Sequence, residues 1–412
     1  MNSKFWIIII GGIFLAIIVS IQYYFLKKIL RYIRLNQKSS LFRTIVLSVF
    51  TLFVVPLIVL MIWQPKLGRA PDWVIAFCIF PLYIWHFSFS MLFLTIIIGK
   101  AIQLPFRCVA WVMKKFETTK IWLLGRNVQR FDTKRRVFLQ HGITILAGAA
   151  LTSSTIGAFR RNEFKISYVT VPIASLPDEY VGFTISLLSD IHSSAFMTKE
   201  TMSRYAKATN ELKSDIITVV GDFVNSQADE VYPFAEAFSE LKSPYGVYGV
   251  LGNHDYYTRN VDVVAKQVDE CGIRLLVNER LYLEKDSQKL WILGVDDVGN
   301  TTKADQLIDK LAHGISEATP KLLLCHRPYY FEQAANRNIN LTLSGHTHGG
   351  QIVFAKLGKD IYSFARIASP YVAGMYTIGS SHMYVSRGIG TVGVPVRINC
   401  PPEITKITLV KA

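Results

Sequence analysis

Apolar and polar residues alternate along this chain in two different rhythms. Phe5 to Leu26, Thr44 to Trp63 and Trp73 to Gly99 each run 20 or more residues without a formal charge. A helix of about 20 apolar residues crosses a hydrocarbon core of about 30 Å, so three transmembrane helices are expected. Val137 to Phe159 is also uncharged but rich in Gly, Ala, Ser and Thr. It is a weaker fourth span, or a re-entrant segment. From about Ile166 the rhythm shortens to strand-like runs at Gly182–Ser189, Ile216–Val220, Val247–Leu251, Leu290–Gly294, Leu322–Cys325 and Ile339–Leu343, with helix-like runs from Lys199, Glu230, Val261, Lys303 and Tyr329 between them. That alternation predicts an α/β domain. After Gly350, Met375–Ile378, His382–Ser386 and Glu403–Leu409 read as closing strands. The expected organisation is therefore a membrane domain over 1–165 and a second domain over 166–412.

Charge follows the same division. Residues 1–165 hold 22 Lys and Arg against 4 Asp and Glu, and residues 166–412 hold 23 against 26. The excess behind the net charge of +15 thus sits beside the apolar runs, and the slightly acidic C-terminal half offers no basic surface for phosphate backbones. Nucleic acid is not an expected partner. Lys27, Lys28, Arg31, Arg34, Lys38 and Arg43 fill the first loop, and ten Lys and Arg lie from Lys100 to Arg136. Both loops should be cytoplasmic by the positive-inside rule, which puts the N-terminus and the loop Gln64 to Asp72 outside. If Val137 to Phe159 spans, the second domain is extracytoplasmic; if it re-enters, that domain is cytoplasmic. Lys134-Arg135-Arg136 ahead of this run resembles an internal twin-arginine signal, or is a plain cytoplasmic anchor. The five cysteines form no CxxC pair and carry no compartment signal.

Candidate chemistry lies where the strand-like runs end. Asp190-Ile191-His192, Gly221-Asp222, Gly252-Asn253-His254-Asp255, His326 and Gly345-His346-Thr347-His348 each follow such a run. In α/β sheets ligands bind beyond the carboxyl ends of strands, so five such ends can converge. Each piece alone is weak, because a lone His after a strand is more often a structural residue. Together they supply two Asp, one Asn and four His of ligand type in a chain with nine His. Mixed oxygen and imidazole donors without thiolate suit Mn²⁺, Zn²⁺, Fe²⁺ or Co²⁺ rather than Ca²⁺. Gly221, Gly252 and Gly345 precede ligand residues where a tight turn or close backbone approach is needed. His86, His141, His313 and His382 lack a ligand-bearing motif and receive no role.

The ordered DxH, GD, GNHD, isolated His and GHxH blocks resemble the calcineurin-like metallophosphoesterase superfamily. The resemblance runs over roughly Val181 to Val410 and includes His346-Thr347-His348-Gly349-Gly350-Gln351 and Ser386-Arg387-Gly388-Ile389-Gly390, which look like its membrane-associated branch. It implies N-terminal transmembrane helices followed by a two-sheet β-sandwich flanked by helices. It also implies two divalent ions, Mn²⁺ first: Asp190, His192, Asp222 and His348 would hold one, and Asp222, Asn253, His326 and His346 the other. Such a pair clamps a phosphoryl group and supplies hydroxide near neutral pH. By position, His254 would stabilise the phosphoryl charge or protonate the leaving oxygen, with Asp255 orienting its ring. Gly349 and Gly350 are candidates for lining the phosphate pocket, and Arg327 and Arg387 for contacting it, although salt bridges explain both arginines equally well.

The implied activity is hydrolysis of a phosphomonoester, phosphodiester or pyrophosphate by a membrane-anchored enzyme of a bacterial inner membrane. A lipid-linked or small envelope phosphoester is the expected substrate and the bilayer the expected partner. The apolar stretch Ile352 to Val372 would either dip into the membrane interface or pack across the two sheets, and Lys356, Lys359 and Arg366 suit both. Two alternatives stay open: a UDP-2,3-diacylglucosamine pyrophosphatase, which needs a cytoplasmic site, and a membrane sensor or scaffold with a vestigial phosphoesterase domain.

Overall fold

The computed structural model describes residues 3–63, 70–113, 115–116, 126–358 and 360–412. Residues 64–69 of the expected outer loop, Lys114, Glu117 and Lys120 of the basic loop, and Lys359 lie outside the described residues, as do the side chains of Asp132, Arg135 and Arg136. The chain divides into two compact units, an N-terminal one reaching Ile156 and a C-terminal one from Gly157 to Ala412.

The N-terminal unit is helical. Its helices are Ser3–Leu35, Ser40–Trp63, Phe80–Met113 and Arg126–Phe159, the third entered through a π-helical turn at Ile75–Ile79. Within them Gly11–Leu35, Ser40–Met61 and Ile75–Met113 are long and apolar enough to cross a membrane. A helix suits that setting because it satisfies every backbone polar group internally. The helix Arg126–Phe159 has its apolar stretch at Thr144–Phe159, shorter than those three. Aromatic packing joins the spans: Phe53 stacks on Trp85 at 4.4 Å, and Phe25 meets Phe89 edge-on at 5.0 Å. Two buried polar side chains each find one partner, the Trp85 indole donating to Gln22 Oε1 at 3.0 Å and His86 Nε2 lying 3.0 Å from the Phe53 carbonyl. His86 thus has a local structural partner.

The C-terminal unit contains two six-stranded sheets and a separate hairpin. One sheet is ordered β1-β14-β2-β3-β4-β5, from β1 (Lys165–Ile173), β14 (Glu403–Lys411), β2 (Thr184–Leu188), β3 (Ile216–Val220), β4 (Val247–Val250) and β5 (Arg274–Leu275). The other is ordered β12-β13-β9-β8-β7-β6, from β12 (Gly374–Ile378), β13 (Ser381–Val385), β9 (Leu341–Ser344), β8 (Lys321–Cys325), β7 (Gln288–Val295) and β6 (Glu279–Lys285). Central strands read as unbroken apolar runs because both of their faces are covered. In β3, Ile216 and Val220 enter the core between the sheets while Ile217 and Val219 pack on the outer face. In β8, Leu322 and Leu324 face inward and Leu323 and Cys325 outward. The helices Lys199–Glu211, Val231–Phe238 and Val261–Glu270 cover the first sheet; Thr301–Ala312 and Phe331–Ala335 cover the second. Burying each such Leu, Ile or Phe side chain contributes about 1.5–3 kcal/mol. β2, β3 and β4 are parallel, as are β7, β8 and β9, so their carboxyl ends emerge together within each sheet.

The stretch Ile352 to Val372 departs from one of its two expectations. It forms the hairpin β10 (Val353–Leu357) and β11 (Asp360–Ser363), bonded to neither large sheet, followed by a helical turn Ala365–Ala368. Phe354, Leu357, Tyr362, Phe364 and Ile367 are exposed, so the middle of this segment does not pack across the sheets, whereas Ile352, Val353 and Val372 at its ends are buried and Tyr371 packs against the cluster of Phe331, Met383 and Val385.

Candidate metal centre

Every motif residue sits just past a strand: Asp190 and His192 after β2, Asp222 after β3, Asn253 and His254 after β4, His326 after β8, and His346 and His348 after β9. Main-chain bonds tie these loops together, with Asp190 N donating to the Gly221 carbonyl at 3.1 Å and His192 N to the Asp222 carbonyl at 3.0 Å. Five of the residues adopt the left-handed region: Asp190 at φ 49°, His192 at 50°, Asp222 at 55°, His346 at 72° and His348 at 52°. For a non-glycine residue that costs about 1–2 kcal/mol, so the loops are held against local preference by the surrounding fold. Two glycines make the crowding possible. A Cβ on Gly252 would lie 2.2 Å from Asp222 Oδ1, and one on Gly345 would lie 2.4 Å from Asp190 Oδ2.

The donor atoms converge. Asp190, His192, Asp222 and His348 are all buried, and one ligand atom from each lies within 4.8 Å of all the others. His192 Nε2 is 3.0 Å from His348 Nε2 and 3.4 Å from Asp222 Oδ2. From the other side His326 Nε2 comes within 3.2 Å of Asp222 Oδ2 and of His346 Nδ1. Asp222 thus faces both groups. Donors about 2.1 Å from one ion at octahedral or tetrahedral angles stand about 3.0–3.4 Å apart, the spacing these atoms have. Asp190 Oδ2, His192 Nδ1, Asn253 Oδ1 and His348 Nδ1 are buried without a hydrogen-bond partner. Carboxylate oxygens and neutral imidazole nitrogens crowded together in a buried site are expensive unless cations occupy it, so the converging residues fit divalent ions. His326 Nδ1 lies 2.8 Å from the Val220 carbonyl, which can only accept, so Nδ1 carries a proton and Nε2 is the ring atom turned toward Asp222.

Electrostatics agree with a site made for positive charge. Burial pushes His192 down to about 3 and His346 down to about 3, and it holds His348 well below the usual imidazole range. All three are neutral imidazoles with ligating lone pairs. Burial raises Asp190 to about 6, with the neighbouring Asp222 charge adding to the rise. Burial lowers His326, but Asp222 and Asp190 more than offset it and lift the group to about 10.

One expected role is corrected. Asp255 does not orient the His254 ring: its carboxylate accepts the main-chain N–H groups of Gly252, Asp222, Phe223 and Val224 at 2.8–3.2 Å. It occupies the third position of the short helix Asn253–Tyr257 and points back over that helix's N-terminus, away from its neighbour's ring. His254 Nδ1 instead donates to the Asn225 carbonyl at 2.5 Å, leaving Nε2 as the atom able to give or take a proton. The partly buried His254 ring stands 4.6 Å from that of His192, beside the donor cluster.

The candidate phosphate contacts are already engaged. Arg327 Nε donates to Asp297 Oδ1 at 2.6 Å and Nη1 to the Tyr329 hydroxyl at 2.5 Å; Arg387 pairs with the buried Glu403. A Cβ on Gly349 would lie 2.6 Å from Arg387 Cγ, and one on Gly350 would lie 2.3 Å from Ser363 Oγ. Both glycines therefore have packing reasons.

Three features had no signal in the motif order. Asp296 and Asp297 follow β7, a sixth strand end; Asp296 accepts from Tyr256 on the helix that carries His254, and Asp297 holds Arg327 next to His326. Asn225 acts through its carbonyl, which any residue type would supply. Arg397 is a buried guanidinium with no carboxylate paired to it among the described residues: it donates to the carbonyls of Arg387, Gly388, Gly390, His348 and Cys400 at 2.5–3.4 Å. It thereby pins the 387–390 loop to the loop bearing His348.

Known proteins are similar to this chain over much of its length. Residues 183–350 match the family described as Calcineurin-like phosphoesterase. The chain is 29% identical over 337 residues to the Bos taurus "Transmembrane protein with metallophosphoesterase domain", covering 78% of this chain and 74% of that one. It is 31% identical over 287 residues to the metallophosphoesterase YkuE of Bacillus subtilis, covering 67% of this chain and 97% of the relative. It is also 31% identical over 287 residues to "Phosphodiesterase YaeI" of Escherichia coli, covering 67% and 99%. With two relatives at 31% identity covered almost completely, and a buried set of divalent-metal donors, the chain belongs to the calcineurin-like metallophosphoesterases and is a metal-dependent phosphoester hydrolase.

Proposed function

We propose that this protein is a membrane-anchored binuclear phosphoesterase, with a membrane domain over 1–165 and a catalytic domain over 166–412. Asp190, His192, Asp222 and His348 hold one ion, and Asp222, Asn253, His326 and His346 the other, with Mn²⁺ the preferred metal. The observation that carries this reading is the buried convergence of one ligand atom from each of Asp190, His192, Asp222 and His348. When bound, the ions supply Lewis-acid polarisation of the phosphoryl group and lower the pKa of water. Asp222 stands between the two groups of imidazoles, and its Oδ1 also accepts the His254 main-chain N–H at 2.8 Å, coupling its orientation to the helix that presents His254. His254, with Nδ1 bonded to Asn225, directs Nε2 at the leaving oxygen and moves the proton there.

A lipid-linked or small envelope phosphoester is the favoured substrate. Exposed Phe354, Leu357, Phe364 and Ile367, flanked by Lys356 and Arg366, begin only a few residues beyond His348 and suit an acyl chain or membrane interface. The basic loops around the apolar helices favour a bacterial inner membrane with the catalytic domain outside, given a spanning fourth helix.

The test is hydrolysis of bis-p-nitrophenyl phosphate and p-nitrophenyl phosphate by the purified full chain. Activity should appear with Mn²⁺, vanish with chelator and return on adding the metal, and D222N should lose both activity and bound metal. Turnover in the presence of excess chelator, or a fully active D222N, would overturn the assignment. Alkaline phosphatase and green fluorescent protein fused after Ala412 report the side: a bright fluorescent fusion with an inactive phosphatase fusion places the domain in the cytoplasm instead.

A further inference from the structure

We infer that the helical unit carries a binding site for one anionic phospholipid, given the membrane embedding proposed above. A groove of about 390 Å³ runs along the helix Ser3–Leu35 from Ile13 to Tyr24, with the small side chains of Ala16 and Ser20 in its wall and Phe93 of the helix Phe80–Met113 at its flank. The eleven steps from Ile13 to Tyr24 rise about 17 Å, close to half of a hydrocarbon core of about 30 Å. The groove therefore matches one acyl chain in one leaflet.

Its end is charged in a specific way. Lys28, one turn beyond Tyr24 on the same helix, places its ammonium 5.7 Å from the centre of the Tyr24 ring, and Lys100 of the neighbouring helix places its own at 5.7 Å from the same centre. The two exposed cations thus converge on one aromatic ring at the mouth of the groove, at most twice that distance from each other. Asp72 is the only acidic residue in the first 113, so neither helix supplies a carboxylate to neutralise them. Tyr24 lines the groove and meets Phe93, its other aromatic wall, edge-on at 5.5 Å, so the ring that both lysines approach is itself part of the groove. Two converging ammonium groups above an apolar slot one leaflet deep have the chemistry of a lipid phosphate with its acyl chain below. Cations near a membrane surface attract anionic headgroups, and the convergence of two on one ring turns that general attraction into a local site.

Native mass spectrometry of the full chain in mild detergent tests this with dioleoyl phosphatidylglycerol against dioleoyl phosphatidylcholine. The expected result is a one-lipid adduct that favours phosphatidylglycerol, with affinity about 30-fold weaker in K28Q/K100Q. The charge-matched K27Q/R34Q should keep the preference, and A16F, which fills the groove and leaves both lysines, should weaken binding of both lipids. Equal binding of the two lipids, an unchanged preference in K28Q/K100Q, or the same loss in K27Q/R34Q overturns the site. Should K28Q/K100Q fail to fold, A16F decides: phosphatidylglycerol bound at unchanged affinity overturns it. A chain that stays in solution without detergent overturns the membrane reading itself, which none of these variants does.

Discussion

In the helical unit Ile13, Phe14, Leu41 and Leu52 are exposed, whereas in the C-terminal unit Asp190, His192, Asp222, Asp255 and Arg397 are buried. Each is an inversion of the usual rule, and each has a different remedy. Exposed apolar side chains need a solvent as apolar as themselves, which a bilayer supplies without any particular partner. Buried charges need specific compensation, because a lone ion in a low-dielectric interior costs several kcal/mol. Arg397 obtains it from carbonyls and Asp255 from main-chain N–H groups, while the converging carboxylate and imidazole atoms of Asp190, His192, Asp222 and His348 are of the kind that a divalent cation compensates. The inversion in one unit is therefore tolerant and in the other exacting. Substitutions should separate the two.

Outside the metal ligands the largest effect is expected at His254, which stands beside the donor cluster without belonging to it. H254A should keep its metal content and slow turnover by about 10² to 10⁴ on substrates with poor leaving groups, with a smaller loss for nitrophenolate. Metal analysis and paired kinetics read this out. Loss of metal in H254A would move His254 into the ligand set.

A smaller effect is expected at Arg397, whose guanidinium reaches five carbonyls through a fork that an ammonium cannot reproduce. R397K keeps the charge but loses the pinning of the His348 loop. It should lower metal affinity or kcat by about 10- to 100-fold, the range seen for residues that orient ligands. If metal titration and kcat both match the wild type, Arg397 is only a structural prop.

These two residues show what the sequence can and cannot disclose. His254 was legible because it follows Asn253 at the end of an apolar run, and strand ends are where α/β sheets place their ligands. The central strands were legible for the same reason that they are buried, namely an unbroken apolar run. β1 and β6 were not: β1 is mostly exposed and pairs along its whole length with β14, more than 200 residues later, and β6 carries Glu279, Arg280, Glu284 and Lys285 on an edge. Asp255 was assigned to its sequence neighbour, but the helix turn aims it at the backbone of the loop after β3. Arg397 and Asn225 work through main-chain carbonyls, which carry no residue-type signature. Chemistry that depends on side-chain type at strand ends could be read, and chemistry that depends on the backbone could not.

The smallest effect is expected where an apolar side chain faces outward in the helical unit. Leu52 lies within the apolar stretch Ser40–Met61 and is 65% exposed, so its folded surroundings are those of the medium around the helix. Truncating it removes contacts with lipid or detergent rather than with the protein, and no cavity results. L52A should change stability by less than about 0.5 kcal/mol, the usual range for surface positions. Leu343 in the C-terminal unit is the control of identical chemistry: it is fully buried between the sheets, and L343A should destabilise by about 2 to 5 kcal/mol through lost transfer energy plus a cavity. Thermal unfolding of both variants in the same detergent, followed by size-exclusion recovery of the full chain, measures the pair. An L52A loss as large as that of L343A would mean that Leu52 is covered by protein, either another copy of the chain or a partner helix, and the outward face of this helix would then be an interface rather than a lipid surface.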